Sequence, residues 1–321
     1  MESRLYAGRL ERRCQRPGGG GHGPLAVGTD GGGSIRIPAA FTNLHGLKPT
    51  FGRVPVYPSS AFDALSHAGP ITRTVEDAAL MLSVMAGPHP ADRLSLEAPP
   101  ADYVAGLRKG IKGLRVAWSP DLGSAEVDPQ VKEVTTRTAA VFTELGCSVE
   151  EAGPGFGDVS EVYRTYFRVG VATPIADVVD EWEPHMGSGL VNIGKEGLKV
   201  TAVEFAKAQV WRHVLFYRVR RFLESFNLLL TPSVAVPPFK AGAPSPAPEH
   251  GHGENWFNWS PFIYPFNLTE LPAASVPVGF SGEGLPIGLQ IVGRRFAYLT
   301  VLQASAAYET ARPWADNRPA V

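Results

Sequence analysis

The chain has 321 residues, a net charge of -1, 44% hydrophobic residues and 19% charged residues. That length can bury a large core, and the composition is that of an ordinary globular enzyme. The near-neutral charge argues against nucleic acid or an acidic membrane surface as an electrostatic partner.

Two cysteines, Cys14 and Cys147, make no disulfide framework, so a cytoplasmic location is expected. No apolar run reaches the roughly 18 residues of a membrane span, and the arginines near the N-terminus are not followed by the apolar core of a secretory signal.

Residues 1–23 carry five arginines against two glutamates and end in a run of glycines without apolar periodicity. They read as an irregular segment. From Pro24 onward the texture is that of a folded domain, expected to cover 24–321. Pro24 to Gly28 is a short apolar run fit for a buried strand. A glycine-rich turn follows, then Ile35 to Phe41.

Thr74 is placed to cap a helix whose apolar residues include Ala79, Leu80, Leu82 and Val84, with Asp77 as a short capping-box partner and Gly87 as the stop. Gly113 to Trp118 reads as a strand. Asp128-Pro129 opens a helix that Gly146 closes, and Cys147 to Glu150 reads as the next strand. This strand–helix–strand unit points to an α/β sheet.

Helix is expected over Val159 to Trp182. A full capping box, Thr201 to Glu204, opens a long helix to about Ser225. Its Val203, Ala206, Val210, Val214 and Tyr217 share one face and are expected to point into the core. Leu228 to Pro232 reads as a buried strand, Val234 to Gly253 as a loop, Leu285 to Val292 as a strand and Leu299 to Ala311 as a last helix. No internal repeat and no dividing linker is visible.

The segment with chemistry in it is Gly28-Thr29-Asp30-Gly31-Gly32-Gly33-Ser34-Ile35-Arg36. Glycines bring backbone N–H groups close to a substrate because no Cβ intervenes. Successive N–H groups in a turn form a concave anion site. A serine at its end can attack a carbonyl while those N–H groups hold the oxyanion. Composition alone also allows a plain glycine turn.

The stretch from Gly28 to Arg53, GTDGGGSIRIPAAFTNLHGLKPTFGR, resembles the signature segment of the amidase signature family. His67 to Ala79, Leu228 to Pro232, Phe266 to Thr269, Leu271 to Pro277 and Gly284 to Gly293 resemble further segments, in family order. The resemblance implies an α/β fold with one large mixed sheet covered by helices. It implies amide hydrolysis through an acyl-enzyme, with a small-molecule amide substrate and without metal or organic cofactor.

Residue by residue, it makes Ser34 the nucleophile and puts Gly31, Gly32, Gly33 and the Ser34 N–H at the oxyanion positions. It makes Asp30 and Arg36 a pair that braces the loop. A homo-oligomer is compatible with the sequence. Part of a tRNA-dependent amidotransferase, from the same family, and a ligand-binding remnant without turnover are the alternative functions.

The family's base lysine and its relay serine, held in a cis peptide, lie N-terminal to the nucleophile. Here the first lysine is Lys48 and the only serine before Ser34 is Ser3. The expectation is a truncated or mis-framed amidase lacking the family's N-terminal lobe, with impaired activity. His22 and His45 are poor candidates for a substitute base.

Three other features read as structure. His250, His252 and Glu254 lack the further ligands of a metal site. Trp256, Phe257, Trp259, Phe262 and Tyr264 suit either core packing or an apolar wall for substrate. Arg212, Arg218, Arg220 and Arg221 read as a solvated helix face rather than a nucleic-acid contact.

Overall fold

The computed structural model describes residues 24–98, 101–240, 243 and 256–317. Its principal elements are β1 (Leu25–Asp30), α1 (Arg36–Phe41), β2 (His45–Lys48), β3 (His67–Thr72), α2 (Val75–Met85), β4 (Arg115–Trp118), α3 (Pro129–Glu144) and β5 (Ser148–Glu151). There follow α4 (Ser160–Ala172), α5 (Ser188–Gly197), α6 (Ala202–Ser225), β6 (Leu228–Pro232), β7 (Ala273–Phe280), β8 (Pro286–Gly293) and α7 (Tyr298–Ala311).

The strands form one eight-stranded sheet in the order β1-β3-β2-β7-β8-β6-β4-β5. Strand β4 pairs in parallel with β5 and β6, and the remaining pairs are antiparallel. The sheet is therefore mixed and helix-covered, as expected. The unit β4–α3–β5 is the anticipated parallel crossover.

Alternation along the central strands separates two cores. Leu229, Ala273 and Val292 join the core that contains Leu215, Val219 and Leu223 of α6. Their neighbours Leu228, Leu230, Ala274 and Ile291 join the opposite core, with Leu82 of α2, Phe142 of α3 and Leu302 of α7. Successive side chains of a strand point to opposite faces, so continuous apolar runs such as Leu228-Leu229-Leu230 mark a sheet buried on both sides.

The helix starts follow the sequence signals. Thr74 accepts from the Asp77 N–H, Asp128 accepts from the Gln130 N–H, and Thr201 and Glu204 form a complete capping box. In α2 the buried residues are Val75, Ala78, Ala79 and Leu82, while Leu80 and Val84 are exposed. The helical stretch expected over Val159 to Trp182 is broken after Ala172.

The face of α6 is the opposite of the one expected. Ala208, Leu215, Val219 and Leu223 are buried, with Phe205, Phe216 and Phe222 packed beside them. Val203, Val210 and Tyr217 are 64%, 64% and 54% exposed. Both faces of this helix are apolar, and the one with the leucines and phenylalanines has more area to bury.

Arg212 also departs from the solvated face. It is half-buried, donates to Leu268 O and pairs with Glu270, with its guanidinium over the Tyr166 ring. Arg218, Arg220 and Arg221 are exposed as expected, the last two paired with Glu224.

Candidate functional site

The glycine-rich turn joins the end of β1 to α1, beside the sheet rather than within it. Asp30 closes the strand and is fully buried. Its carboxylate accepts from the Gly33 N–H at 2.7 Å, from Arg36 Nε at 2.8 Å and from Arg36 Nη2 at 2.9 Å. One side chain thus ties both ends of the turn together.

Arg36 is also fully buried, and its remaining hydrogens find acceptors elsewhere. Nη1 donates to Gln290 Oε1 at 2.7 Å and to Ile263 O at 3.1 Å, and Nη2 donates to Asn267 Oδ1 at 2.7 Å. Asn267 in turn donates to Asp30 O and Asp30 Oδ1, and Gln290 Nε2 donates to Thr231 Oγ1 and Phe262 O. A buried charge is tolerable only when paired and hydrogen-bonded in this way. Burial alone would raise the Asp30 pKa, but the Arg36 guanidinium beside it holds the carboxyl well below the usual carboxylate range.

Gly33 adopts φ +112, and a Cβ there would lie 2.3 Å from Ile263 Cγ2. Only glycine fits that position. Gly33 shapes the turn and donates its N–H to Asp30 Oδ1. Among the described residues the N–H groups of Gly31, Gly32 and Ser34 have no hydrogen-bond acceptor.

Ser34 is exposed, and Gly31 and Gly32 are half-buried. The Tyr163 hydroxyl of α4 donates to Gly31 O at 2.9 Å. The ring that carries it is fully buried and stacked on Phe167 and Tyr264.

One further cation, Lys48, and two imidazoles lie near this network or along the sheet beneath it. Lys48 is fully buried, with Nζ bonded to the carbonyl oxygens of Leu271 and Pro49. Burial, with the Arg36 charge adding to it, holds its pKa well below the usual lysine range. No hydrogen bond links it to Ser34. His67 Nδ1 lies 2.8 Å from Leu65 O, an oxygen shared with Asn267. His45 is fully buried with neither ring nitrogen partnered, so it gives Ser34 no base. His22 lies outside the described residues.

The family model for amidases matches residues 19–302. The chain belongs to the amidase family. Among amidase relatives, it is 40% identical to an acylamidase of Rhodococcus erythropolis, over 94% of this chain and 64% of that protein. It is 31% identical to a glutamyl-tRNA(Gln) amidotransferase subunit of Geobacter metallireducens, over 95% of this chain and 69% of that one. The fold superposes on a bacterial aryl acylamidase of the amidase signature family with a TM-score of 0.89 and 31% identity, over 99% of this chain and 70% of that one. The chain thus spans about two thirds of the length of the amidases it matches.

The sequence pointed to Ser34, the glycines, Asp30 and Arg36. It did not point to Tyr163, Asn267, Gln290, Lys48 or His67 as parts of one assembly, although all but Tyr163 stand in segments resembling the amidase family. Of the aromatic cluster, Trp259, Phe262 and Tyr264 pack in the core, and Phe257 sits edge-on to Tyr163. His250, His252 and Glu254 lie outside the described residues. Among the described residues no cluster of three metal-ligating side chains exists, and no helix is long and apolar enough to cross a membrane.

Proposed function

We propose that this chain acts on a carboxylic amide, with Ser34 as nucleophile. Ser34 Oγ forms a bond to the carbonyl carbon as its hydroxyl proton passes to solvent water, which returns it to the leaving nitrogen. The carbonyl π electrons move to oxygen, and the N–H groups of Gly31, Gly32 and Ser34 receive that oxyanion. Collapse expels the amine with a proton and leaves an acyl-serine, which water hydrolyses.

The observation that carries this reading is the division of labour in the turn. Asp30 takes the Gly33 N–H and the Nε–Nη2 edge of the Arg36 guanidinium. That leaves an exposed serine beside uncommitted donors. Preorganised donors at a developing oxyanion are among the largest contributions to acyl transfer. The likeness to an acylamidase and an aryl acylamidase supports an N-acylated amine as substrate, with an acyl anilide as the first probe. The identity of 40% against 31% favours amide hydrolysis over service in an amidotransferase.

Among the described residues no side chain hydrogen-bonds the Ser34 hydroxyl. A positioned base contributes about 10²–10⁴-fold, so turnover by this chain is expected to be slow. Free Cys147 supports a reducing, cytoplasmic setting.

The test is labelling with a fluorophosphonate, read by mass spectrometry beside Ser34→Ala, with an acyl anilide as competitor. Adduct on Ser34 alone, suppressed by the anilide, supports the reading. A folded chain with no adduct, that still binds the anilide equally well as Ser34→Ala, makes it a ligand-binding protein and sinks the proposal.

A further inference from the structure

The exposed face of α6 is self-complementary. Val203 and Tyr217 lie seven residues on either side of Val210, and Ala206 and Val214 lie four. At 3.6 residues per turn all five fall on one stripe about 20 Å long. Val203, Ala206, Val210 and Tyr217 are exposed and Val214 is half-buried. Trp211, 56% exposed, flanks the stripe at its centre. These residues make one continuous surface.

We infer that this stripe pairs with the same stripe of a second copy, antiparallel, with the two-fold axis passing beside Val210. The inference is independent of the role given to Ser34. Under that axis each residue meets its mirror in the numbering. Val203 faces the Tyr217 position, Ala206 faces Val214, and Val210 faces itself. Large thus meets smaller at the outer levels, as a close-packed helix pair requires.

The charges select the antiparallel order. Glu204 and Arg218 flank the stripe on one side, about four turns apart. Antiparallel pairing brings the Glu204 end of one copy to the Arg218 end of the other, twice. Parallel pairing would instead place Arg218 of one copy against Arg220 of the other, two like charges. The two Trp211 side chains meet next to the axis, where a rigid aromatic anchor contributes most. A single helix pair of this length is at the small end of protein interfaces, below about 1,200 Å². The dimer is therefore expected to be weak and concentration-dependent.

The test is sedimentation velocity of the full chain from about 1 to 100 μM, the range appropriate to so small an interface. Dimer should grow with concentration. Val210→Glu, at an exposed site, should raise the dissociation constant at least tenfold with an unchanged melting temperature, and Arg218→Glu should raise it several-fold.

Register is read in a Cys14→Ser background under mild oxidation. Val210→Cys should cross-link with itself. Val203→Cys and Tyr217→Cys should each give no cross-link alone and cross-link when mixed. A monomer at every concentration, a dimer indifferent to Val210→Glu, or self-cross-linking by Val203→Cys as efficient as by Val210→Cys would each overturn the inference.

Discussion

The Tyr163 hydroxyl donates to the Gly31 carbonyl oxygen at 2.9 Å. A trans peptide points its C=O and the following N–H in opposite directions. Holding Gly31 O therefore sets the direction of the Gly32 N–H, one of the uncommitted donors beside Ser34. Glycine peptides have little stiffness of their own, so the constraint has to come from a neighbour. Burial pushes the Tyr163 pKa well above its usual value, which keeps the phenol a donor.

Tyr163→Phe keeps the stacked ring and removes this bond. Losing an oxyanion donor outright costs about 10²–10³ in rate, so a loosened one should cost roughly tenfold. The check is the rate constant for fluorophosphonate labelling of Ser34, with thermal unfolding alongside. Stability should drop by only about 1 kcal/mol, the net value of one hydrogen bond. Labelling at the parent rate would show that the turn holds its own geometry.

The Asp30–Arg36 pair is fully buried. Removing one partner of such a pair strands the other charge, at a typical cost of about 3–5 kcal/mol. Asp30→Ala should therefore lose most of its stability in urea unfolding, because Arg36 would keep only neutral acceptors. Asp30→Asn can still accept from the Gly33 N–H and should be milder. Equal losses for the two variants would show that charge is irrelevant and shape is all that matters here.

How far the sequence reached is visible in this same network. Asp30, the glycines, Ser34 and Arg36 are contiguous, so one local turn displays them together. Their other partners, Ile263, Asn267 and Gln290, come from the far end of the chain, and only the sheet order brings them in. Tyr163 reads as one more core aromatic on a helix until its hydroxyl is placed. The capped helices and the apolar strands were legible because caps and runs are local. The strands β2, β3 and β7 were not, because glycine and proline interrupt them and their pairing is long-range. On α6 two apolar faces compete, and periodicity alone cannot rank them.

Two buried imidazoles make the fold sensitive to acid. Burial lowers the His45 pKa from 6.5 to about 3, and lowers that of His67 as well, with the Lys48 charge adding to it. A base whose folded pKa is depressed takes up its proton more readily when unfolded. Stability is therefore full above pH 6.5 and is lost as the pH falls below it. Each such group contributes about 1.4 kcal/mol per pH unit to that slope. His45 also buries two unpartnered nitrogens. Its replacement by an apolar residue, His45→Leu, should be near neutral or stabilising at pH 7. It should also flatten the acid limb of a denaturation series run from pH 7 to 4. An unchanged slope would mean that His45 is solvated in solution.

Glu309 on α7 acts in the opposite sense. Its carboxyl accepts from the Val75 N–H at the start of α2, yet burial, with Asp77 and Glu76 nearby, raises its pKa from 4.5 to about 7. An acid with a raised folded pKa is most favourable protonated. Its contribution is complete below pH 4.5 and is lost as the pH rises through 7. Glu309 is partly exposed, so solvent screening cuts the effect to on the order of 1 kcal/mol. In the parent this loss offsets part of the gain from the two histidines between pH 4.5 and 6.5. Glu309→Gln keeps an oxygen for the Val75 N–H but cannot ionise. The variant should be the more stable one at pH 8, with a steeper rise in stability from pH 4.5 to 6.5. Chemical denaturation of both proteins at pH 5 and pH 8 measures this directly. A parent that is as stable as the variant at pH 8 would place the carboxylate in a solvated, helix-capping role instead.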